Sequence, residues 1–221
     1  MSDHTITDLD ARVGRAFQEV LRRSHLSAPE DLGRVLAEEV RRIDVSSLVV
    51  YVVDYAQRTL VPVPAPDAGG SGPLSIQGTI AGRAFANTAM LDVEGDAGEG
   101  RRLWIPLLDG TERIGVLRLS LASGDRVPEP LLAACERYAH FIALLIVTKS
   151  AYTDFFERLR RTAPMTLASE LIWELVPPLV LASEDFVLSA LLEPCYDIGG
   201  DAFDYALDGG VLHLAVFDAM G

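Results

Sequence analysis

Cysteine is scarce in this 221-residue chain: only Cys135 and Cys195 occur, in unlike surroundings. Two thiols cannot build a disulfide framework, and both read as reduced packing residues in a reducing compartment. Basic residues are also in short supply, with 19 Lys and Arg against 32 Asp and Glu and a formal net charge of −13. Nucleic acid and anionic membranes are bound through basic patches, so no nucleic acid and no membrane partner is expected. Long hydrophobic runs are missing. The longest uncharged one, 138–148, is bounded by Arg137 and Lys149 and falls short of the ~20 residues that cross a bilayer. The N-terminal Met1-Ser-Asp-His-Thr-Ile-Thr-Asp8 lacks the basic-then-apolar order of a signal peptide, which leads to the expectation of a cytoplasmic protein. Cys and His never stand at zinc-ligand spacing, and there is no Gly-x-Ser-x-Gly elbow. P-loop and dinucleotide glycine patterns are absent, as are internal repeats.

What remains is a chain that is 49% apolar, enough for one to two domains with a sizeable core. Leu9, Val13, Phe17, Val20 and Leu21 recur at helical spacing and predict a helix over 8–25. A second helix follows, with Ser27 as its expected cap, Pro29 in its first turn and Leu32, Val35, Leu36, Val40 and Ile43 on its buried face. The period then shifts. The runs 48–53 and 59–63 are β-branched and predict two strands, with Pro62 marking an edge or an end. A Pro- and Gly-rich loop covers 64–72, and a short helix over 78–85 turns Ile80, Ala84 and Phe85 inward. An acidic loop over 92–99 precedes a hairpin, 102–108 with 113–121, joined by Asp109-Gly-Thr-Glu112.

From Glu129 the apolar positions Leu131, Cys135, Tyr138, Ile142, Leu145, Tyr152, Phe156 and Leu159 advance in steps of four and three, interrupted at Lys149. Such a seam predicts a long helix and, through 131–159, a homodimer. Packing within one chain is the competing expectation. Pro164 ends or kinks this helix, and Thr166-Leu-Ala-Ser-Glu170 opens another that runs to Pro177-Pro178.

The last stretch carries chemistry. Two strand-like runs, 186–192 and 211–217, are each expected to lead into an aspartate, Asp201 and Asp218, with glycines beside both. Carboxylates at the ends of neighbouring strands suit a hard divalent cation such as Mg²⁺ or Mn²⁺. Taken singly, Gly-Gly-Asp and Asp-x-x-Gly are ordinary turn sequences.

Two family resemblances add to this reading. The order helix, helix, two strands, short helix, hairpin, long helix, with Gly78-Thr-Ile-Ala-Gly-Arg-Ala84 and Ile105-Pro-Leu through Ile114-Gly-Val-Leu117, resembles a GAF domain over roughly 20–150. That resemblance implies an α+β fold with a central antiparallel sheet and flanking helices, used either for ligand sensing or as a plain dimerisation module. Its ligand is not legible. Cys135 is poorly placed for a bilin thioether, and His140, like His25 a candidate haem ligand, reads as a packed helix residue.

Asp197-Ile-Gly-Gly-Asp201-Ala-Phe-Asp204 and Asp218-Ala-Met-Gly221 are similar to the opening signatures of the SpoIIE-like branch of PPM-type phosphatases. The likeness implies the start of a β-sandwich with a two-metal Mn²⁺ or Mg²⁺ centre. Asp201, Asp218 and the Ala219 carbonyl would be its ligands, and Asp197 and Asp204 supporting acids. Its implied substrate is a phosphorylated protein, by analogy an anti-sigma-factor antagonist. Ala202 departs from the aromatic usual in that signature, and Asp197 from the commoner Glu. The sequence reaches Gly221 before the His-Gly and later aspartates of the family, so this chain alone is expected to be inactive. The expected division is a GAF-like sensor over 1–150, linker helices over 151–182 and an incomplete phosphatase domain over 183–221. A dimeric GAF module without catalysis is the alternative.

Overall fold

β-Branched residues dominate the centre of the chain, and that is where its sheet forms. The computed structural model describes residues 3–95, 100–121 and 127–219. Six strands, β1 (Val45–Val53), β2 (Thr59–Pro62), β3 (Leu74–Ser75), β4 (Leu91–Glu94), β5 (Arg101–Asp109) and β6 (Glu112–Leu121), make one sheet in the order β3-β2-β1-β6-β5-β4. β1 lies inside it, antiparallel to β2 and β6, with Tyr51 opposite Pro62 on one side and Val116 on the other. Every β1 residue from Leu48 to Val53 is buried, because both faces of the sheet are covered. That explains why this strand reads as an unbroken apolar run and not as an alternation.

Strand periodicity divides the core in two. Leu48, Val50, Val52, Leu117 and Leu119 face one layer of helices. These helices are α1 (Asp3–Leu26) and α2 (Leu32–Val40), joined further along the chain by two others. Val49, Tyr51, Val53 and Val116 face the opposite way, toward α3 (Ile80–Asn87). The helical layer is completed by α4 (Glu129–Ser150) and α5 (Phe155–Arg160). All five residues expected on the buried face of α2 and its following turn are buried, namely Leu32, Val35, Leu36, Val40 and Ile43.

Several local expectations are corrected. Ser27 does not cap the second helix: its hydroxyl donates to the Ser24 carbonyl, and a 3-10 turn over Pro29–Asp31 precedes α2. In α1 the small Ala16 is buried and Leu21 is exposed, while the side chain of Leu9 lies outside the described residues. Ile80, expected inward, is 40% exposed. The acidic loop begins as a strand, β4, whose Asp92 accepts from Arg101 Nε at 2.7 Å, and 96–99 lie outside the described residues. In Leu91-Asp-Val-Glu94 the two apolar positions alternate with acids, so acidity concealed a short strand there.

The long helical seam is the largest correction. The helix stops at Ser150 and restarts as α5, where the Thr153 hydroxyl accepts from the Phe155 amide at 3.2 Å. Phe155 and Phe156 turn back into the core, their ring centroids 5.0 Å apart, and Phe156 is 1% exposed. Heptad spacing cannot distinguish a continuous coiled-coil seam from two helices that share one core, and here the chain itself covers most of the seam. Tyr152, where the helix breaks, is left 64% exposed. α4 is the one helix among the described residues long and apolar enough to cross a membrane, but its buried side chains belong to the core of this sheet domain.

The chain divides into two compact units, Met1–Asp109 with Arg113–Arg160, and Gly110–Glu112 with Arg161–Gly221. α5 therefore belongs to the first unit and not to a linker. The second unit contains α6 (Leu167–Leu175), the short antiparallel pair β7 (Val180–Ala182) and β8 (Val187–Ser189), and the antiparallel hairpin β9 (Ala202–Asp208) and β10 (Val211–Phe217).

Candidate functional site

Two of the predicted acids, Asp201 and Asp218, lie at the open end of the β9–β10 hairpin. Its turn is Gly209-Gly210, both at positive φ, the backbone a two-residue hairpin loop requires. From that turn the register runs Asp208 opposite Val211 through Ala202 opposite Phe217. Asp201 immediately precedes the last pair on one strand and Asp218 immediately follows it on the other. The ladder thus brings Asp201 and Asp218 to the same end of the hairpin. Asp204 lies within β9, opposite Ala215.

One expectation about this arrangement fails. The run 186–192 does not lead into Asp201: β8 ends at Ser189, Leu191 is exposed and Leu192 turns inward. Asp201 instead directly precedes a separate strand, β9, which the sequence pattern did not single out. Phe203-Asp-Tyr-Ala-Leu207 does alternate, and that was the available signal.

Asp201, Asp204 and Asp218 line one open groove of about 510 Å³, whose other walls include Leu188, Leu192, Phe203, Leu214 and Val216. No basic residue lines it. Asp197 and Ala219 are not among its walls. Both are exposed, and Asp197 lies in a turn where its amide donates to the Pro194 carbonyl at 3.3 Å. Oxygen donors of this kind suit Mg²⁺ or Mn²⁺ in type. They fall short in number, because no group of three or more His, Cys, Asp or Glu among the described residues is gathered to hold a metal.

The turn before Asp201 is tied to α6. Ser169, fully buried, accepts from the Ile198 amide through its hydroxyl at 2.6 Å. Trp173 Nε1 donates to the Cys195 carbonyl at 2.8 Å, and the Thr166 amide donates to the Tyr196 carbonyl at 3.1 Å. Thr166 also caps α6, its hydroxyl accepting from the Ser169 amide at 3.2 Å. Sequence reading placed this helix correctly but gave Ser169 and Trp173 no role beyond it, because partners 22 and 29 residues away leave no local pattern.

In the first unit, the face of the sheet under α3 is filled with rings. Tyr51 and Trp104 lie 6.0 Å apart between centroids, and the Arg113 guanidinium sits 4.9 Å from the Phe85 ring. The segment entering α3 passes closely enough that a Cβ on Gly82 would lie 1.8 Å from the Ile76 carbonyl oxygen, so glycine is required there. Thr79 caps the helix, accepting from the Gly82 amide at 2.9 Å. His140, expected to be packed, is exposed, as is His25. Cys135 is buried in α4, and burial pushes its thiol up to about 12, which makes it inert.

Solved structures with this architecture include GAF domains. The GAF domain of a phosphoenolpyruvate-protein phosphotransferase from Coxiella burnetii matches with a TM-score of 0.55 at 16% identity, covering 68% of this chain and 98% of its own. The corresponding Acinetobacter domain gives 0.52 at 16% identity, covering 69% and 98%. The A. aeolicus nlh2 GAF domain, solved in an inactive state, gives 0.55 at 11% identity, covering 64% and 99%. At such identities the likeness establishes the fold, and the chain contains a GAF-like α+β domain. No protein-family model matches the sequence, and no curated protein is significantly similar to it.

Proposed function

We propose that the chain is a GAF-type regulatory module joined through α6 to the opening segment of a metal-dependent PPM-type phosphoprotein phosphatase, SpoIIE-like in its signatures. The observation that supports this reading is the ladder pairing of Ala202 with Phe217, next to which Asp201 and Asp218 line a groove together with Asp204. In a complete centre of this type the cations activate a water and clamp phosphoryl oxygens. Within this chain Asp201 and Asp218 would supply carboxylate oxygens, with Asp204 on the same groove as a supporting acid. The substrate in this reading is a phosphoserine or phosphothreonine protein, by resemblance an anti-sigma-factor antagonist.

Two carboxylates leave most of a six-oxygen shell to water, so affinity is weak and turnover negligible. Titration with Mn²⁺ followed by amide NMR tests the reading. Paramagnetic broadening is expected first at the amides flanking Asp201 and Asp218, and Asp201→Asn with Asp218→Asn should abolish it. Broadening that begins elsewhere on this acidic chain, or survives the double substitution, rejects the metal site.

The second reading is a regulatory or ligand-sensing GAF module without catalysis. It is favoured by the contrast between the fully covered sheet of the first unit and the absence of a three-acid cluster among the described residues. Failure of the Mn²⁺ titration would leave this reading standing.

A further inference from the structure

Asp201 is suspended between two fixed points. On its C-terminal side Ala202 is locked to Phe217 by the hairpin register. On its N-terminal side the backbone is held to α6 and its cap at three residues: Cys195 by Trp173, Tyr196 by Thr166 and Ile198 by Ser169. The side chains of Cys195 and Ile198 are themselves buried, and the Tyr196 hydroxyl lies 2.8 Å from that of Thr162. Only Gly199 and Gly200 separate Ile198 from Asp201. Neither glycine has a side chain to resist rotation, and a Cβ on Gly199 would meet nothing within 4 Å. Any displacement of α6 relative to the hairpin must therefore be absorbed in the backbone of 199–201. The Asp201 carboxylate would move, while Asp218 stays with β10.

We propose that Ser169 is a positioning residue for the Asp201–Asp218 pair, and that α6 with the turn 195–198 moves as one body that sets the separation of the two carboxylates. The metal part of this claim rests on the function proposed above; the mechanical part does not. Ser169 is well suited to the task. Its hydroxyl accepts from the Ile198 amide in a buried contact and lies 2.9 Å from the Thr166 hydroxyl, so one chain of hydrogen bonds joins the helix cap and the turn. A buried hydrogen bond whose partner is removed leaves a costly unsatisfied amide, which makes the coupling strong for a single contact.

The test is Ser169→Ala in the full chain, with Trp173→Phe as a second variant that removes the Cys195 bond but keeps an aromatic ring. Amide hydrogen exchange at Ile198, Gly199, Gly200 and Asp201 should accelerate about tenfold in both variants, while the β9–β10 amides keep their protection. The Mn²⁺ midpoint read by amide broadening should rise by about three- to tenfold. Acceleration confined to Ile198, with 199–201 and the Mn²⁺ midpoint unchanged, overturns the proposal and leaves Ser169 as a local packing group. If the wild-type chain shows no Mn²⁺ broadening at Asp201 and Asp218, the metal reading falls on its own. The exchange pattern at 199–201 then decides the positioning claim by itself.

Discussion

Single residues show how buried polarity is handled in this fold. Asp54 is 2% exposed, and one of its carboxylate oxygens accepts from the amides of Arg58 and Thr59 at 2.8 and 2.9 Å, closing the β1–β2 turn. Glu39, also buried, is bracketed by Arg23 and Arg42, each at 2.6 Å. Lys149, the only lysine in the chain, donates to the Ser27 carbonyl at 3.0 Å, just past the end of α1, where a cation also meets the negative pole of that helix. Its place in the apolar seam, an interruption in the sequence pattern, is thus satisfied. Cys135 and Tyr138 follow the opposite logic. Burial raises both above their ordinary values, with Glu39 adding to the effect on Tyr138, and the Cys135 thiol goes from 9.0 to about 12. The folded chain then keeps protons that the unfolded chain has already lost. This stabilisation is complete below pH 9 and drains away as pH rises toward 12. Urea unfolding should show stability falling by up to about 1.4 kcal/mol per pH unit above pH 9 through Cys135, with Tyr138 adding to the slope only above pH 10. Cys135→Ala should remove one proton's worth of that slope, and an unchanged slope would contradict the buried thiol.

At the scale of elements, the break between α4 and α5 matters most. A continuous helix would carry Phe155, Phe156 and Leu159 out beyond the sheet, where a second copy would have to cover them. Because the chain turns at 151–154, the two phenylalanines are buried by their own domain. Phe156→Ala should therefore cost about 3–5 kcal/mol in equilibrium unfolding, with a midpoint that does not vary with protein concentration. A cost that grows as the protein is diluted would instead point to a subunit interface. The same scale explains what was legible. α2, α3 and the β5–β6 hairpin follow from periodicity and turn residues, since each satisfies its pattern locally. β4 and β7 were missed because strands of three or four residues carry too little pattern to stand out from loops.

For the whole molecule, the two units are unequally finished. The first buries both faces of its sheet. The second ends in a hairpin whose one face is apolar, with Phe203, Tyr205 and Leu207 paired across from Val216, Leu214 and Leu212. Yet Val216 is 86% and Leu214 60% exposed. A two-stranded hairpin is marginal in water, and a contiguous exposed apolar face binds hydrophobic dyes. The chain should enhance anilinonaphthalene sulfonate fluorescence under native conditions. Leu214→Glu with Val216→Glu should remove most of that signal while leaving the unfolding of the sheet domain unchanged. Persistence of the signal in the double variant would place the dye elsewhere.

The sequence by itself determined the acidic balance, the helix-and-strand order of the GAF-like domain and the candidate acids Asp201, Asp204 and Asp218. Composition, period and capping act over a few residues and leave their mark there. Only the tertiary structure decided that the long apolar seam folds back onto its own sheet, that Asp201 and Asp218 flank the last pair of the β9–β10 ladder, and that Ser169 holds the turn in front of Asp201. Those outcomes depend on contacts between residues far apart in the chain, where several packings satisfy the same local pattern and the one that buries the most surface prevails.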